Sequence, residues 1–161
     1  MTRLPSAEPE PLYTPETYSP EDSVGRLIAE VSRRLQADID EEMARMGAGI
    51  TSAQWGVLMR IAKGCASTSA QLCRSAHYDT GSMTRMLDRL EEKGLIRRVR
   101  NSPDRRVVSL EVTEAGRALE RRLPPAAIKV LNAHLRGFTH GELAQLKDFL
   151  NRMRVNGGIT T

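Results

Sequence analysis

The chain has 161 residues, which fits one soluble domain or one protomer of an assembly. No apolar run approaches the roughly 20 residues that a bilayer span requires, and residues 1–10 lack the apolar core of a signal peptide. These features exclude an integral membrane protein as an interpretation and predict a cytoplasmic protein with no membrane partner.

The two cysteines, Cys65 and Cys73, form no CxxC pair and no Cys/His cluster. They are too few for a disulfide framework or a Cys-rich zinc module, and they fit a reducing compartment. We therefore expect both to be buried small hydrophobic residues, and we expect no metal site and no cofactor.

The net charge of +4 is distributed unevenly along the chain. Residues 1–22 contain one arginine against five acidic residues, a local charge of −4. Residues 96–106 contain five arginines against Asp104 alone, a local charge of +4. The basic segment predicts contact with a polyanion, although a solvated basic surface would have the same composition.

The N-terminal segment is rich in proline, with five of the eight prolines in the first twenty residues. It has no apolar period, so residues 1–19 are predicted to be an extended or disordered arm. Ser19 can cap a helix and Pro20 suits its first position, and apolar residues then recur every three to four positions until Gly47. A long helix with one apolar stripe is therefore predicted over residues 20–47.

Three further helix starts share a capping box, in which a threonine is followed three residues later by Gln or Glu. The helices are predicted over about 52–62, 69–76 and 140–154, and the boxes are Thr51 with Gln54, Thr68 with Gln71, and Thr139 with Glu142. The last of these helices is expected to bury Leu143, Leu146, Phe149, Leu150 and Met153.

A fourth helix begins at Asp79 or Thr80 and ends at Gly94. Its apolar residues recur at positions that share one face, namely Met83, Met86, Leu87 and Leu90. That spacing directs the polar residues to solvent, among them Ser82, Thr84, Arg85, Asp88, Arg89 and Glu92.

The pattern then changes to the period of two that strands require. Strands are predicted over 95–99 and 108–112, joined by a turn at 101–104. Thr113 caps a fifth helix, which Pro124 and Pro125 must kink or break before it resumes to about Arg136.

The order of elements in residues 50–112 is that of a winged helix-turn-helix. The predicted fold is mainly α, with a small β-hairpin wing and a helical dimerisation region formed by 20–47 and 113–155. A helix fits the major groove of B-DNA, and arginines on a hairpin tip fit the minor groove. No HExxH, GxSxG, GxGxxG or P-loop motif is present, so we do not expect an enzyme. A winged helix that binds protein instead of DNA would present an apolar outer face on its fourth helix.

The run from Asp79 to Ile96, the later Asp104-Arg105-Arg106 and the exit motif Leu110-x-x-Thr113-x-x-Gly116 together resemble the MarR family of bacterial transcription regulators. The segment from Thr51 to Leu58 is similar to the second helix of that family, and the resemblance covers about residues 23–154. It implies a dimeric repressor on a pseudo-palindromic operator, nucleoid-associated when bound. The apolar stripes of the first and last helices independently favour burial by a second copy.

The resemblance also implies roles for individual residues. DNA-contacting residues would be Ser69 and Gln71 at phosphates, Thr80, Ser82, Thr84, Arg85 and Arg89 in the major groove, Arg105 in the minor groove, and Arg106 beside it. Asp79 would pair with Arg106 to brace the wing, with Asp104 as the third member of that group.

Members of this family commonly release DNA when a phenolic or aromatic carboxylate binds, so an effector of that class is expected. An anion needs a cation or a donor, and a ring needs an apolar wall. Candidate residues by type are Arg26, Trp55, His77, Tyr78 and Arg98. The alternative is a redox sensor based on cysteine. The position that carries the sensing cysteine in some relatives is Glu92 here, and the first helix has no cysteine, although Cys65 and Cys73 keep this alternative open.

Overall fold

The computed structural model describes residues 10–76, 78–100 and 108–158. Its helices are α1 (Val24–Arg45), α2 (Ser52–Ala62), α3 (Ser69–Ala76), α4 (Thr80–Glu92), α5 (Glu114–Arg122), α6 (Pro124–His134) and α7 (His140–Asn156), and its strands are β1 (Ile96–Val99) and β2 (Ser109–Val112). The predicted fold class, mainly α with one small antiparallel hairpin, is confirmed. Within these residues no helix has both the length and the apolar character needed to cross a membrane.

The chain divides into two compact units, Met1–Arg34 and Leu35–Thr161, and the boundary lies within α1. In the first unit, residues 10–19 of the predicted arm include a turn at residues 15–17. The Tyr18 N–H donates to Thr14 O at 2.9 Å, and the rings of Tyr13 and Tyr18 meet edge to face with centroids 5.9 Å apart. The Tyr13 hydroxyl accepts the N–H of Val24 at 3.1 Å, so this segment folds back onto the start of α1.

The start of α1 differs from the prediction. Ser19 makes no capping hydrogen bond, because Pro20–Asp22 forms a separate turn of 3-10 helix. The chain returns to extended backbone at Ser23, whose Oγ accepts the N–H of Arg26 at 3.3 Å. Ser23 therefore caps α1, and the helix begins four residues later than the predicted first position.

The three predicted capping boxes are present. Gln54 N–H donates to Thr51 Oγ1 at 3.3 Å, Gln71 N–H to Thr68 Oγ1 at 3.3 Å, and Glu142 N–H to Thr139 Oγ1 at 3.2 Å. In each box a side-chain oxygen of the Gln or Glu accepts the backbone N–H of the threonine. The helices begin where the sequence predicts because these contacts are local.

The core of the second unit lies between α2, α3, α4, the hairpin and the first turn of α6. The hairpin register pairs Ile96 with Val112 and Arg98 with Leu110. The fully or nearly fully buried side chains include Met43, Val57, Leu58, Ile61, Leu72, Met83, Leu87, Leu90, Ile96, Leu110, Val112, Leu123 and Ala126.

Gly116 explains the exit motif physically. A Cβ at this position would lie 2.1 Å from Leu95 O and 2.7 Å from Val112 Cγ1, so only glycine lets α5 approach the hairpin this closely. Thr113 fixes the same junction, because its Oγ1 accepts the Gly116 N–H at 3.1 Å and donates to Gly94 O at 2.6 Å.

The predicted break at the Pro-Pro pair is confirmed, since α5 ends at Arg122 and α6 begins at Pro124. Two predictions of buried side chains, for the cysteines and for α7, are not met in the single chain. Cys65 is exposed in the turn after α2, whereas Cys73 is half-buried against the core. α7 buries none of its residues, so the apolar stripe predicted to be buried is left open, with Leu143 half-buried and the other four exposed.

Candidate nucleic-acid interface

The N-terminus of α4 is held by Asp79. Its backbone is extended, with φ −67° and ψ 155°, and its Oδ1 accepts the Ser82 N–H at 2.9 Å. Hydrogen bonds from the Ser82 side chain and backbone lower the pKa of the Asp79 carboxyl below its ordinary value. A negatively charged cap thus stabilises the positive end of the helix, in agreement with the predicted start.

The outer face of α4 is polar and open to solvent. Met83, Leu87 and Leu90 are buried beneath it, which anchors the helix to the core. The residues on the open side are Thr80, Thr84, Arg85 and Arg89, which are exposed, and Ser82, which is half-buried. Sequence periodicity therefore placed these candidates correctly on one accessible surface.

Two intrahelical contacts determine what this face can offer to a ligand. The Thr84 hydroxyl donates to Thr80 O at 2.8 Å, which leaves its oxygen as an acceptor on an exposed residue that also carries a methyl group. An Arg85 guanidinium nitrogen lies 3.4 Å from Ser82 Oγ, so Arg85 lies along the first turn of the helix. Donors, an acceptor and an apolar methyl are thus presented together, the groups that distinguish base pairs in the major groove.

The start of α3 presents a smaller polar surface. Ser69 is half-buried, and Gln71 is exposed. The Gln71 Oε1 accepts N–H groups from Ser67 at 2.8 Å and Thr68 at 3.2 Å. Its carbonyl is thus used in the cap, and its amide NH₂ is the part that can donate to a phosphate.

Four predicted site residues lie outside the described residues: His77, Asp104, Arg105 and Arg106. The predicted Asp79–Arg106 brace and the minor-groove contact of Arg105 therefore stay predictions. In the described part of the hairpin, Arg97 on β1 pairs across the strands with Glu111 at 2.6 Å.

Arg98 connects β1 to α4, which the sequence did not predict. One guanidinium nitrogen lies 2.7 Å from Asp88 Oδ1, and the other donates to Glu91. These carboxylates, Asp88 foremost, raise the pKa of Arg98 above its ordinary value. Part of this arrangement has a sequence signal, because Asp88 and Glu91 are one helical turn apart and Arg98 shares a face of β1 with the buried Ile96.

Of the five candidate effector residues, His77 lies outside the described residues, and the other four have different surroundings. Arg26 belongs to the first unit, where its guanidinium donates to Glu21 O at 2.6 Å. Trp55 packs against the core with its buried Nε1 unpaired, and Arg98 is held by Asp88 and Glu91. Tyr78 lies at a cavity of about 330 Å³, which is also lined by Thr51, Gln54, Ser82, Arg85, Met86 and Arg89. Among the described residues no group of His, Cys, Asp and Glu could hold a metal ion.

Comparison with known proteins agrees with this architecture. The MarR family model matches residues 50–108. The multiple antibiotic resistance protein MarR of Escherichia coli K12 is 31% identical over 131 residues, which are 81% of this chain and 90% of that protein. The HTH-type transcriptional repressor MdtR of Bacillus subtilis 168 is 33% identical over 84 residues, 52% of this chain and 53% of the repressor.

Solved structures extend the agreement to the fold. The reduced form of E. coli MarR superposes with a TM-score of 0.71 at 30% identity, covering 81% of this chain and 96% of that one. A mutant of E. coli MarR in complex with operator DNA gives a TM-score of 0.73 at 30% identity, covering 80% and 91%. The match over nearly the whole length of the E. coli relative shows that this chain belongs to the MarR family, whose members are winged-helix transcription regulators and not enzymes.

Proposed function

We propose that this chain is a homodimeric repressor that binds a specific operator DNA and releases it when a small aromatic carboxylate binds. The observation that carries the proposal is the polar, exposed outer face of α4, which lies opposite the buried side chains of Met83, Leu87 and Leu90. The E. coli relative crystallised with operator DNA and the B. subtilis relative named a repressor support it.

The outer face of α4 has the size and chemistry of a major-groove reader. An arginine can donate two hydrogen bonds to the O6 and N7 of guanine, and Arg85 and Arg89 are one helical turn apart on the exposed side. Thr84 can contact a thymine methyl or accept from a base amine. The acidic residues Asp88, Glu91 and Glu92 on the same helix favour base and shape recognition over a purely electrostatic clamp.

A second copy of the chain is needed to cover the apolar side chains that α6 and α7 leave exposed. Leu131 on α6 and Phe149, Leu150 and Met153 on α7 are each between 41% and 55% exposed. Large apolar side chains left exposed in this way favour burial in an isologous dimer. Two recognition helices related by a two-fold axis would read half-sites about one helical turn apart.

The cavity beside Tyr78 supports an aromatic carboxylate as the effector. Tyr78 and Met86 can form a wall for a ring, and Arg85 and Arg89 can bind its carboxylate. Both arginines also belong to the outer face of α4. An effector bound here would therefore compete directly with DNA for the same guanidinium groups.

The first test is a fluorescence anisotropy titration with a duplex from the region upstream of the gene. We expect Arg85→Ala and Arg89→Ala each to weaken binding by about 1–3 kcal/mol if each reads a base. Arg121→Ala on α5 removes the same charge from an exposed residue outside α4 and outside the apolar residues of α6 and α7, and it is expected to bind as the unmodified protein does. With about six phosphates neutralised, log K is expected to fall against log salt with a slope near −5. Binding that is indifferent to sequence would overturn the proposal.

The second test uses 4-hydroxybenzoate to displace the operator. Tyr78→Ala is expected to raise the concentration needed for release, whereas Arg26→Ala in the first unit is expected to leave it unchanged. Because Cys65 is exposed, release of the operator by the oxidant hydrogen peroxide is measured in parallel. Release by peroxide that Cys65→Ser abolishes, with no release by the benzoate, would replace the aromatic effector by cysteine oxidation.

A further inference from the structure

Arg98 is attached to α4 by both its side chain and its backbone. Its guanidinium donates to Asp88 Oδ1 at 2.7 Å and to Glu91 Oε2, and its backbone N–H donates to Glu91 Oε1 at 3.1 Å. Glu91 thus holds two donors of one strand residue at the same time. Asp88 and Glu91 are three residues apart, so the planar guanidinium spans one turn of the helix.

The register of the hairpin explains why Arg98, and not Arg97, makes this contact. Arg98 is paired with Leu110, and directly opposed residues of an antiparallel pair share a face. Leu110 is buried in the core, so Arg98 lies on the face of the hairpin that is turned toward α4. Arg97 lies on the other face and pairs with Glu111.

A hairpin of two strands has no further strand to fix its angle to the rest of the molecule. The Thr113 N–H donates to Leu95 O at 3.1 Å at the base of the hairpin, and on β2 the Leu110 N–H donates to Ser67 O at 2.8 Å. Arg98 lies opposite Leu110 and two residues beyond Ile96, toward the tip of the wing. Its contacts attach β1 to α4 at the level at which Leu110 attaches β2 to Ser67, so both strands are held there and rotation of the hairpin is limited.

We propose that Arg98 is a positioning residue that fixes the angle between the wing and the recognition helix α4, so that both enter adjacent grooves of one duplex. This inference rests on the proposed DNA-binding function. The Arg98 side chain is 34% exposed, and an ion pair at that exposure contributes little to the stability of the fold. Arg98 instead fixes the orientation of the wing relative to α4. A small rotation of the wing would prevent it from contacting DNA while α4 stays in its groove.

The test exploits two sets of variants that change the charge in opposite directions. Arg98→Ala removes one positive charge, whereas the double variant Asp88→Asn/Glu91→Gln removes two negative charges from the same attachment. If Arg98 positions the wing, both sets lose operator affinity by about tenfold, a typical loss for one missing contact. If Arg98 acts only through its charge, the double variant binds DNA more tightly than the unmodified protein, which would overturn the proposal.

Arg97→Ala is the matched control, because it removes the same charge from the same strand on the opposite face. It is expected to reduce binding to any DNA modestly and equally. Arg98→Lys is expected to recover only part of the affinity, since one ammonium group cannot span both carboxylates as a guanidinium does. Urea unfolding of every variant measures whether the fold is intact.

The decisive measurement is dimethyl sulfate protection of a duplex that the unmodified protein selects from a random pool, because the reagent reports guanine N7 in the major groove and adenine N3 in the minor groove. We expect Arg98→Ala and the double variant to keep the major-groove protection and lose the minor-groove protection. Unchanged minor-groove protection in both would overturn the role of Arg98 and leave the DNA-binding function intact. If the unmodified protein selects no sequence, the function itself fails, and this inference fails with it.

Discussion

The helices α4 and α7 have similar apolar periodicity but different surroundings. On α4, Met83, Leu87 and Leu90 are at most 1% exposed, whereas on α7 Phe149 is 55% exposed and Met153 is 42% exposed. The chain itself covers the apolar face of α4, and this leaves the polar face free to meet a ligand. Among the described residues, the apolar face of α7 is left exposed, and we propose that a second copy of the chain covers it. In one protomer the proposed DNA-reading face of α4 is thus complete, whereas the proposed dimerisation surface on α7 is not.

The largest effect is expected from placing a charge in the open face of α7. Leu150→Glu would bury an unpaired carboxylate in a dimer, so we expect the dimer to dissociate. Operator affinity would then fall by roughly a hundredfold or more, because two linked half-site contacts become independent. Sedimentation velocity and anisotropy titration measure the two effects. Asn151→Glu, on the other side of α7, is the control and is expected to change neither. A dimeric Leu150→Glu variant would contradict this account of α7.

A comparison of two Leu→Ala changes sharpens the contrast between the helices. Leu87→Ala leaves a cavity under α4 and is expected to lower the free energy of unfolding by about 2–5 kcal/mol at every protein concentration. Leu150→Ala is expected to weaken association, so its effect should diminish when the protein is diluted until the unmodified chain also dissociates. Urea unfolding at several protein concentrations distinguishes the two. Equal, concentration-independent losses would show that α7 is covered within its own chain.

A substitution at the junction between the wing and α5 is expected to lower the stability of the fold, but by less than a cavity in the core does. In Gly116→Ala the new methyl group would overlap Leu95 O, and relief requires α5 to shift, at a cost of roughly 1–3 kcal/mol. Gly141→Ala on α7 is the matched control, because the nearest atom to its Cβ would be Thr139 Oγ1 at 3.8 Å. Thermal unfolding compares them, and a Gly116→Ala variant as stable as Gly141→Ala would show that the close approach is not required.

Features that depend on neighbouring residues in the sequence are predicted correctly for the most part. Most differences between prediction and structure come from contacts between parts of the chain that are distant in sequence. The capping boxes at Thr51, Thr68 and Thr139 and the break before Pro124 follow from local hydrogen bonding and from the missing proline N–H. The start of α1 was misplaced because Pro20–Asp22 satisfies its own turn before the helix begins.

The candidate site shows the same limit. Periodicity alone places Thr84, Arg85 and Arg89 on one open face, because one helix determines their relation. Arg98 was assigned to an effector by residue type, but its partners depend on the register of β1 against β2 and on the packing of that hairpin against α4. The period of β1 and the spacing of Asp88 and Glu91 each follow from the sequence, but neither says that this strand packs against this helix.

The smallest expected effect concerns the N-terminal caps of α4 and α7 and the pH dependence of the stability that they contribute. Ser82 lowers the pKa of Asp79, and the Thr139 N–H lowers the pKa of Glu142. A carboxyl with a lowered pKa in the folded state contributes stability above its unfolded pKa, and the contribution is lost as the pH falls through the folded value. Asp79→Asn and Glu142→Gln are each expected to be less stable than the unmodified protein near neutral pH. Both differences in the free energy of unfolding are expected to shrink below about pH 4.

Operator affinity provides the contrast between these two caps. Asp79→Asn alters the charge at the end of α4 that would face DNA, so it is expected to change operator affinity near neutral pH. Glu142→Gln lies at the start of α7 and is expected to leave that affinity unchanged. Urea unfolding between about pH 3 and pH 7 and anisotropy titration at neutral pH measure the two properties separately. Equal changes in operator affinity for the two variants would contradict the assignment of DNA binding to α4 rather than α7.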